Sequence, residues 1–125
     1  MTTKTAWAHL PNAKHIDAVL ADVKARPEAW TTAWGAAWRA ARDAAQRAAR
    51  DAAWGAARAA AWDAARDAAR DAAWDAIAAL VTWDSSADLL DCTPDVLRVM
   101  IDLVEPPVCH QAALLLPYAI VRMHA

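Results

Sequence analysis

The chain has 125 residues, 37 of them alanine and 8 tryptophan, with no phenylalanine and a formal net charge of −2. That length is one domain's worth, and the near-balance of charge argues against the basic face of a nucleic-acid binder and against a highly charged disordered tail. Leu, Ile and Val together number 22, too few for the thick aliphatic core of a standard globular enzyme.

Residues 1–29 carry an amphipathic helix over Ala13–Ala25, with Ile16, Val19, Leu20 and Val23 on one face. Pro11 and Asn12 open it and Pro27 closes it. Lys4, His9, Pro11, Lys14, Asp17 and Asp22 interrupt any signal-peptide apolar region. No uncharged apolar run reaches the roughly 18 residues that a membrane-spanning helix needs.

From Ala36 to Asp75 the chain reads as ten consecutive four-residue units without a slip in register. Two alanines are followed by Trp, Arg or Gln, and then usually by Asp, Arg or Gly, and the register extends back to Trp30 and Trp34. Alanine is the best helix former and Arg is close behind, so residues 30–76 are expected to be helical. At about 100° per residue, each unit precesses roughly 40°. The array therefore has no single apolar face. It has four spirals along the i±4n ridges, two of them alanine.

Run straight from Pro27 to Thr82, such a helix would span about 80 Å, against a radius of gyration near 14 Å for a domain of this size. Two escapes exist: breakage at Gly35 or Gly55, or a rod whose packing is completed in an oligomer. The oligomer is favoured, since an isolated glycine costs only about 1 kcal/mol in a helix and forces no turn. The alanine ridges at Ala40, Ala41, Ala44, Ala45, Ala48, Ala49, Ala64, Ala65, Ala68 and Ala69 would be the self-assembly surface.

Charge order fits that picture. Residues 36–58 hold five arginines and two aspartates, whereas residues 59–75 hold two arginines and four aspartates. Antiparallel neighbours would match opposite charges. Local pairs are expected at Arg39–Asp43, Arg47–Asp51, Asp63–Arg66 and Asp67–Arg70, each worth about 0.2–0.5 kcal/mol. The Asp63–Asp67–Asp71–Asp75 ladder would gain from an external cation.

Residues 77–125 change character, with Ile77, Leu80, Val81, Leu89 and Leu90 as true core residues. Thr93-Pro94 reads as an N-cap followed by a first-turn proline. It opens a helix over residues 94–104 with Val96, Val99, Met100 and Leu103 as its apolar set. A final helix over residues 108–123 is apolar all round and so expected to be buried, with a kink at Pro117. The core is expected in residues 77–123, with the 13–25 helix against it.

Leu80-Val81-Thr82-Trp83-Asp84 and Leu114-Leu115-Leu116-Pro117, following the array, resemble a family of small alanine-rich proteins of actinobacterial phages and their hosts. Those proteins share A-A-[WRY]-D arrays, an L-x-x-W-D segment and a late L-L-L-P motif. The resemblance covers about residues 30–120. It implies a phage accessory protein in a bacterial host cytoplasm and carries over no catalytic residues.

Asp84, Asp88 and Asp91, at i, i+4 and i+7, could hold a divalent cation on one helix face, but a solvated face with Ser85 or Ser86 capping a local break is the favoured reading. Cys109 and His110 point about 100° apart, poor geometry for a catalytic dyad. Cys92 and Cys109 have no Cys-x-x-Cys spacing and default to free thiols, a bridge being the lesser reading. His9, His15 and His124 share no ligand spacing, and no G-x-S-x-G, P-loop or H-E-x-x-H occurs. No enzyme, metal or cofactor is expected.

The strongest candidate site is the ridge of Trp30, Trp34, Trp38 and Arg42 with Trp54, Arg58 and Trp62. Flat rings stack on a base and guanidinium groups bind phosphate bidentately. The competing reading is that Trp fills gaps where the alanine ridges diverge, with Arg lying over it. The sequence thus points to an all-α, alanine-rich homo-oligomer with antiparallel helices. It would bind or sequester a host factor or a small nucleotide signal in an anti-defence role; the alternative is a structural self-assembly protein with no ligand.

Overall fold

The computed structural model describes residues 6–36, 39–54, 58–69 and 72–123. Among them the chain is helical without a strand: α1 (Ala13–Ala25), α2 (Pro27–Ala36), α3 (Arg39–Trp54), α4 (Ala59–Ala68), α5 (Ala72–Thr82), a 3₁₀ helix (Asp84–Leu89), α6 (Pro94–Leu103) and α7 (Val108–Met123). α7 is central, packing against α2, α3, α5 and α6.

The array folds back on itself, which corrects the preferred rod. In a straight helix Gln46 and Asp75 would lie about 43 Å apart, yet Gln46 Nε2 donates to Asp75 Oδ1 at 2.6 Å. Of the two glycines offered as break points, Gly35 lies inside α2. Gly55, between α3 and α4, is outside the described residues. A further break has no glycine at all: Ala69 caps α4 in an extended conformation, at φ −130° and ψ 100°.

Precession explains why short helices serve this sequence. Along α3 and α4 the second alanine of the unit is buried at Ala45, Ala49, Ala53, Ala61 and Ala65 and half-buried at Ala41. The first alanine is exposed or half-buried, as at Ala44, Ala48, Ala52, Ala60 and Ala64. A ridge drifting about 40° per unit stays turned to the core for a few units only, and α3 and α4 end within that span. Alanine ridges allow close approach of helix axes, at the short end of about 8–10 Å. Within the chain, Arg42 of the basic half faces Asp75 of the acidic half at 3.6 Å. The cross-pairs Gln46–Asp75 and Ala49–Thr82 advance together, so α3 and α5 run in the same direction rather than antiparallel.

The core is accordingly wider than residues 77–123. It joins Leu80, Leu97, Leu114, Leu115 and Leu116 to the second-alanine ridge, to Trp30 and Trp62, and to Ile16 and Val19 of α1. α6 packs through Leu97, which is fully buried, with Met100 and Ile101 half-buried. Val96, Val99 and Leu103, expected on that face, are exposed. Its N-terminus is as expected, Thr93 Oγ1 accepting from the Val96 N–H.

The C-terminus of α5 is buried, so its orphan carbonyls need donors. Asn12 Nδ2 donates to the carbonyls of Leu80, Trp83 and Asp84. Arg58 Nη1 serves Val81, and Ser86 Oγ adds a second donor to the Ala79 carbonyl, which also accepts from the Trp83 N–H. Ser86 in turn accepts, with Ser85, from buried Gln111 Nε2. Asn12 therefore holds α1 to α5 rather than capping its own helix.

Asp84, Asp88 and Asp91 do not share an α-helical face, because residues 84–89 form the 3₁₀ helix. Asp84 pairs with Arg58 at 2.8 Å and Asp91 with Arg122 at 3.7 Å. Among the described residues no group of three His, Cys, Asp or Glu is placed to hold a metal ion. Cys92 and Cys109 are free, and no described helix is long and apolar enough to cross a membrane.

Candidate functional site

The repeat that buries the second alanine also decides where its neighbour goes. The third residue of each unit follows it by about 100°, which places it at the rim of the interhelical contact. Trp34, Arg42, Gln46, Arg50, Trp62, Arg66 and Trp74 all occupy this position, and all line one cleft of about 590 Å³ between α2, α3, α4 and α5. Asp43, Arg47, Asp67, Ala69 and Asp75 complete it.

One wall is aromatic. Trp62 and Trp74 meet edge to face, with ring centroids 4.7 Å apart and planes at 84°. The Arg42 guanidinium lies 4.4 Å above the Trp34 ring, the cation–π arrangement expected from a Trp one or two turns away. The other wall is cationic. Arg47, Arg50 and Arg66 are exposed and, among the described residues, none has a carboxylate within ion-pair distance. The local pairs Arg47–Asp51 and Asp63–Arg66 do not close, which corrects that expectation; the partners in Arg39–Asp43 and Asp67–Arg70 fall partly outside the described side chains.

Asp75 differs from the other repeat aspartates. Asp43, Asp51, Asp63 and Asp67 are exposed, whereas Asp75 is 3% exposed. Its Oδ1 accepts from Gln46, but Oδ2 has no hydrogen-bond partner among the described residues. Arg42 Nε stands 3.6 Å from that oxygen, within ion-pair range but too far for a hydrogen bond. Burial pushes the carboxyl up to about 6, against the hydrogen bond from Gln46 and the charge of Arg42, which act to lower it. The proposed aspartate ladder is therefore broken: Asp63 and Asp67 face solvent on α4 while Asp75 lies beneath the cleft.

Of the residues named from sequence, Trp34, Arg42 and Trp62 come together here. Trp30 does not. It is buried against α7, its Nε1 donating 2.7 Å to Asp22 Oδ2 and its ring tilted against Tyr118 at 6.1 Å. Arg58 serves the end of α5 instead. Trp38 lies outside the described residues, as does the side chain of Trp54. Ala45, Ala49, Ala65 and Ala69 are buried within the chain, Ala41, Ala48 and Ala64 are half-buried, and Ala44 and Ala68 are exposed; the side chain of Ala40 is not described.

Sequence reasoning missed Gln46, Arg50, Arg66 and Trp74, although their shared repeat position would have found them. Asp75 carried one weaker signal: it is the last aspartate before the repeat gives way to Ile77 and Leu80. Comparison with family models, with curated proteins and with solved structures returned no match.

Proposed function

We propose that this chain is a non-enzymatic binding protein that captures a small phosphorylated nucleotide in the cleft. The observation that carries the reading is the convergence of Trp34, Trp62 and Trp74 with Arg47, Arg50 and Arg66 around one cavity. Its volume falls within the range of about 300–1,000 Å³ common to small-ligand sites. Indole faces stack on any base, and unpaired guanidinium groups bind phosphate oxygens bidentately. Among the described residues the lining contains no Ser, Cys, His or Lys, so it favours binding over covalent chemistry. The phage resemblance extends the proposal to sequestration of a host nucleotide signal as an anti-defence device.

Self-assembly without a ligand is the alternative, but burial of the second-alanine ridge within the chain removes much of the surface it requires. The two are separated by titrating the chain with 5′-nucleotides while following tryptophan fluorescence and melting temperature. Saturable quenching with stabilisation is expected, weakened by Arg66→Glu. No response at millimolar nucleotide, together with a mass that grows with protein concentration, would overturn the proposal in favour of assembly.

A further inference from the structure

We infer that the cleft selects guanine among nucleobases, with Asp75 and Arg42 reading the base edge; this rests on the nucleotide-binding reading above. The carrying observation is the buried Asp75 carboxylate at the cleft. One of its oxygens is held by Gln46, and the other lacks any hydrogen-bond donor among the described residues. A buried acceptor left without a donor is unfavourable, and a ligand N–H supplies what is missing.

Arg42 guards that oxygen loosely. Its contacts are a 3.6 Å approach to Oδ2, a 3.5 Å contact from Nη1 to the Trp34 carbonyl and the stack on the Trp34 ring. Neither polar contact is a short hydrogen bond, so the guanidinium can slide along the indole and admit a base edge beside the carboxylate. The edge then meets a carboxylate acceptor with a guanidinium donor next to it.

Only one common base complements that pair. Guanine presents two adjacent donors, N1–H and the N2 amino group, with the O6 acceptor alongside: the donors suit Asp75 and O6 suits Arg42. Adenine and cytosine each set a ring-nitrogen lone pair beside their amino group, and uracil flanks its N3–H with two carbonyls. Each of those would bring an acceptor against the carboxylate, a repulsion between like partners. Stacking against the tryptophans does not discriminate, so selection falls to the edge.

The test uses 5′-triphosphates of guanosine, inosine, adenosine and xanthosine, whose equal phosphate number holds the arginine contribution constant, with affinities measured by calorimetry. Guanosine triphosphate is expected to bind tightest. Loss of the N2 amino group in the inosine form should weaken binding about tenfold or more, since hydrogen bonds to charged groups are the strong ones. In Asp75→Asn, with folding checked by circular dichroism, preference should move from guanine to xanthine, because the amide keeps one acceptor and offers a donor to the xanthine O2. Equal affinity of the unaltered chain for all four would overturn the guanine inference and leave nucleotide capture standing. Absence of binding by any of them would overturn the cleft reading itself. The four-ligand series on the unaltered chain decides the matter even if the variant fails to fold.

Discussion

Gln46 and Asp75 are joined across the α3–α5 contact by a 2.6 Å hydrogen bond, yet the second oxygen of the same carboxylate has no donor among the described residues. This half-satisfied group lies between two helices that also meet through Arg42 and through the Thr82–Ala49 hydrogen bond. Its titration therefore reports on the folded cleft.

Asp75 rises to about 6 in the folded chain, from an ordinary value of 3.8. A carboxyl raised in this way binds its proton more tightly when folded, so its contribution to stability is complete below the unfolded value and disappears as pH rises through 6. Between about pH 8 and pH 5 the linkage amounts to on the order of 1 kcal/mol. Urea unfolding of the unaltered chain and of Asp75→Asn at both pH values should show their difference shifting by that amount, toward the unaltered chain at the lower pH. A difference that stays flat would mean that the carboxyl is not perturbed.

Asn12 is 3% exposed and its Nδ2 serves three carbonyls where α5 passes into the 3₁₀ helix, those of Leu80, Trp83 and Asp84. Asn12→Ala removes the donor and leaves those acceptors buried, a cost of about 1–3 kcal/mol. Asn12→Asp should be worse, because a carboxylate oxygen would replace the amide nitrogen against carbonyl oxygens. Denaturant midpoints measured at neutral pH check the order; equal stability of Asn12→Ala and the unaltered chain would show that water fills the role.

Local chemistry made some elements legible and left others closed. Pro11, Asn12 and Pro27 bracketed α1, and Thr93-Pro94 marked the start of α6, because caps and prolines act within one turn. The break at Ala69 was not legible, since AARDAARD around it repeats sequence that is helical elsewhere; tertiary packing of the ridge overrides propensity there. The buried face of α6 was misread for a related reason. Val96, Leu97, Val99, Met100, Ile101 and Leu103 cover most of its circumference, so periodicity could not choose among them. For the cleft, the third position of the repeat was visible as a Trp/Arg spiral. The repeat treats Asp75 like every other aspartate, and only the return of α5 against α3 makes it different.

The α6 assignment is directly testable. Leu97 is fully buried while Val99 is 54% exposed and Leu103 77%. Leu97→Ala should cost about 2–5 kcal/mol through lost transfer energy and the cavity left behind. Val99→Ser and Leu103→Ser should each stay within about 0.5 kcal/mol. Chemical denaturation of the three variants decides it, and the reverse ranking would restore the face expected from sequence.

The alternation of the alanine ridges gives the sharpest mutational contrast. Ala49 is fully buried, and its carbonyl accepts from Thr82 Oγ1 at 3.3 Å. Ala44 and Ala52, first in their units, are exposed on the same helix. Ala49→Leu forces extra volume into a fully buried position and should destabilise by about 1–3 kcal/mol or more. Leucine at 44 or 52 should leave stability within about 0.5 kcal/mol. Sedimentation of these two variants adds a second readout: if the exposed ridge mediates self-assembly, enlarging it must alter the mass. An unchanged mass with unchanged stability would assign the ridge to solvent. Equal destabilisation at 44 and 49 would instead mean that both alanine spirals are covered, as an oligomer closing over the outer ridge would require.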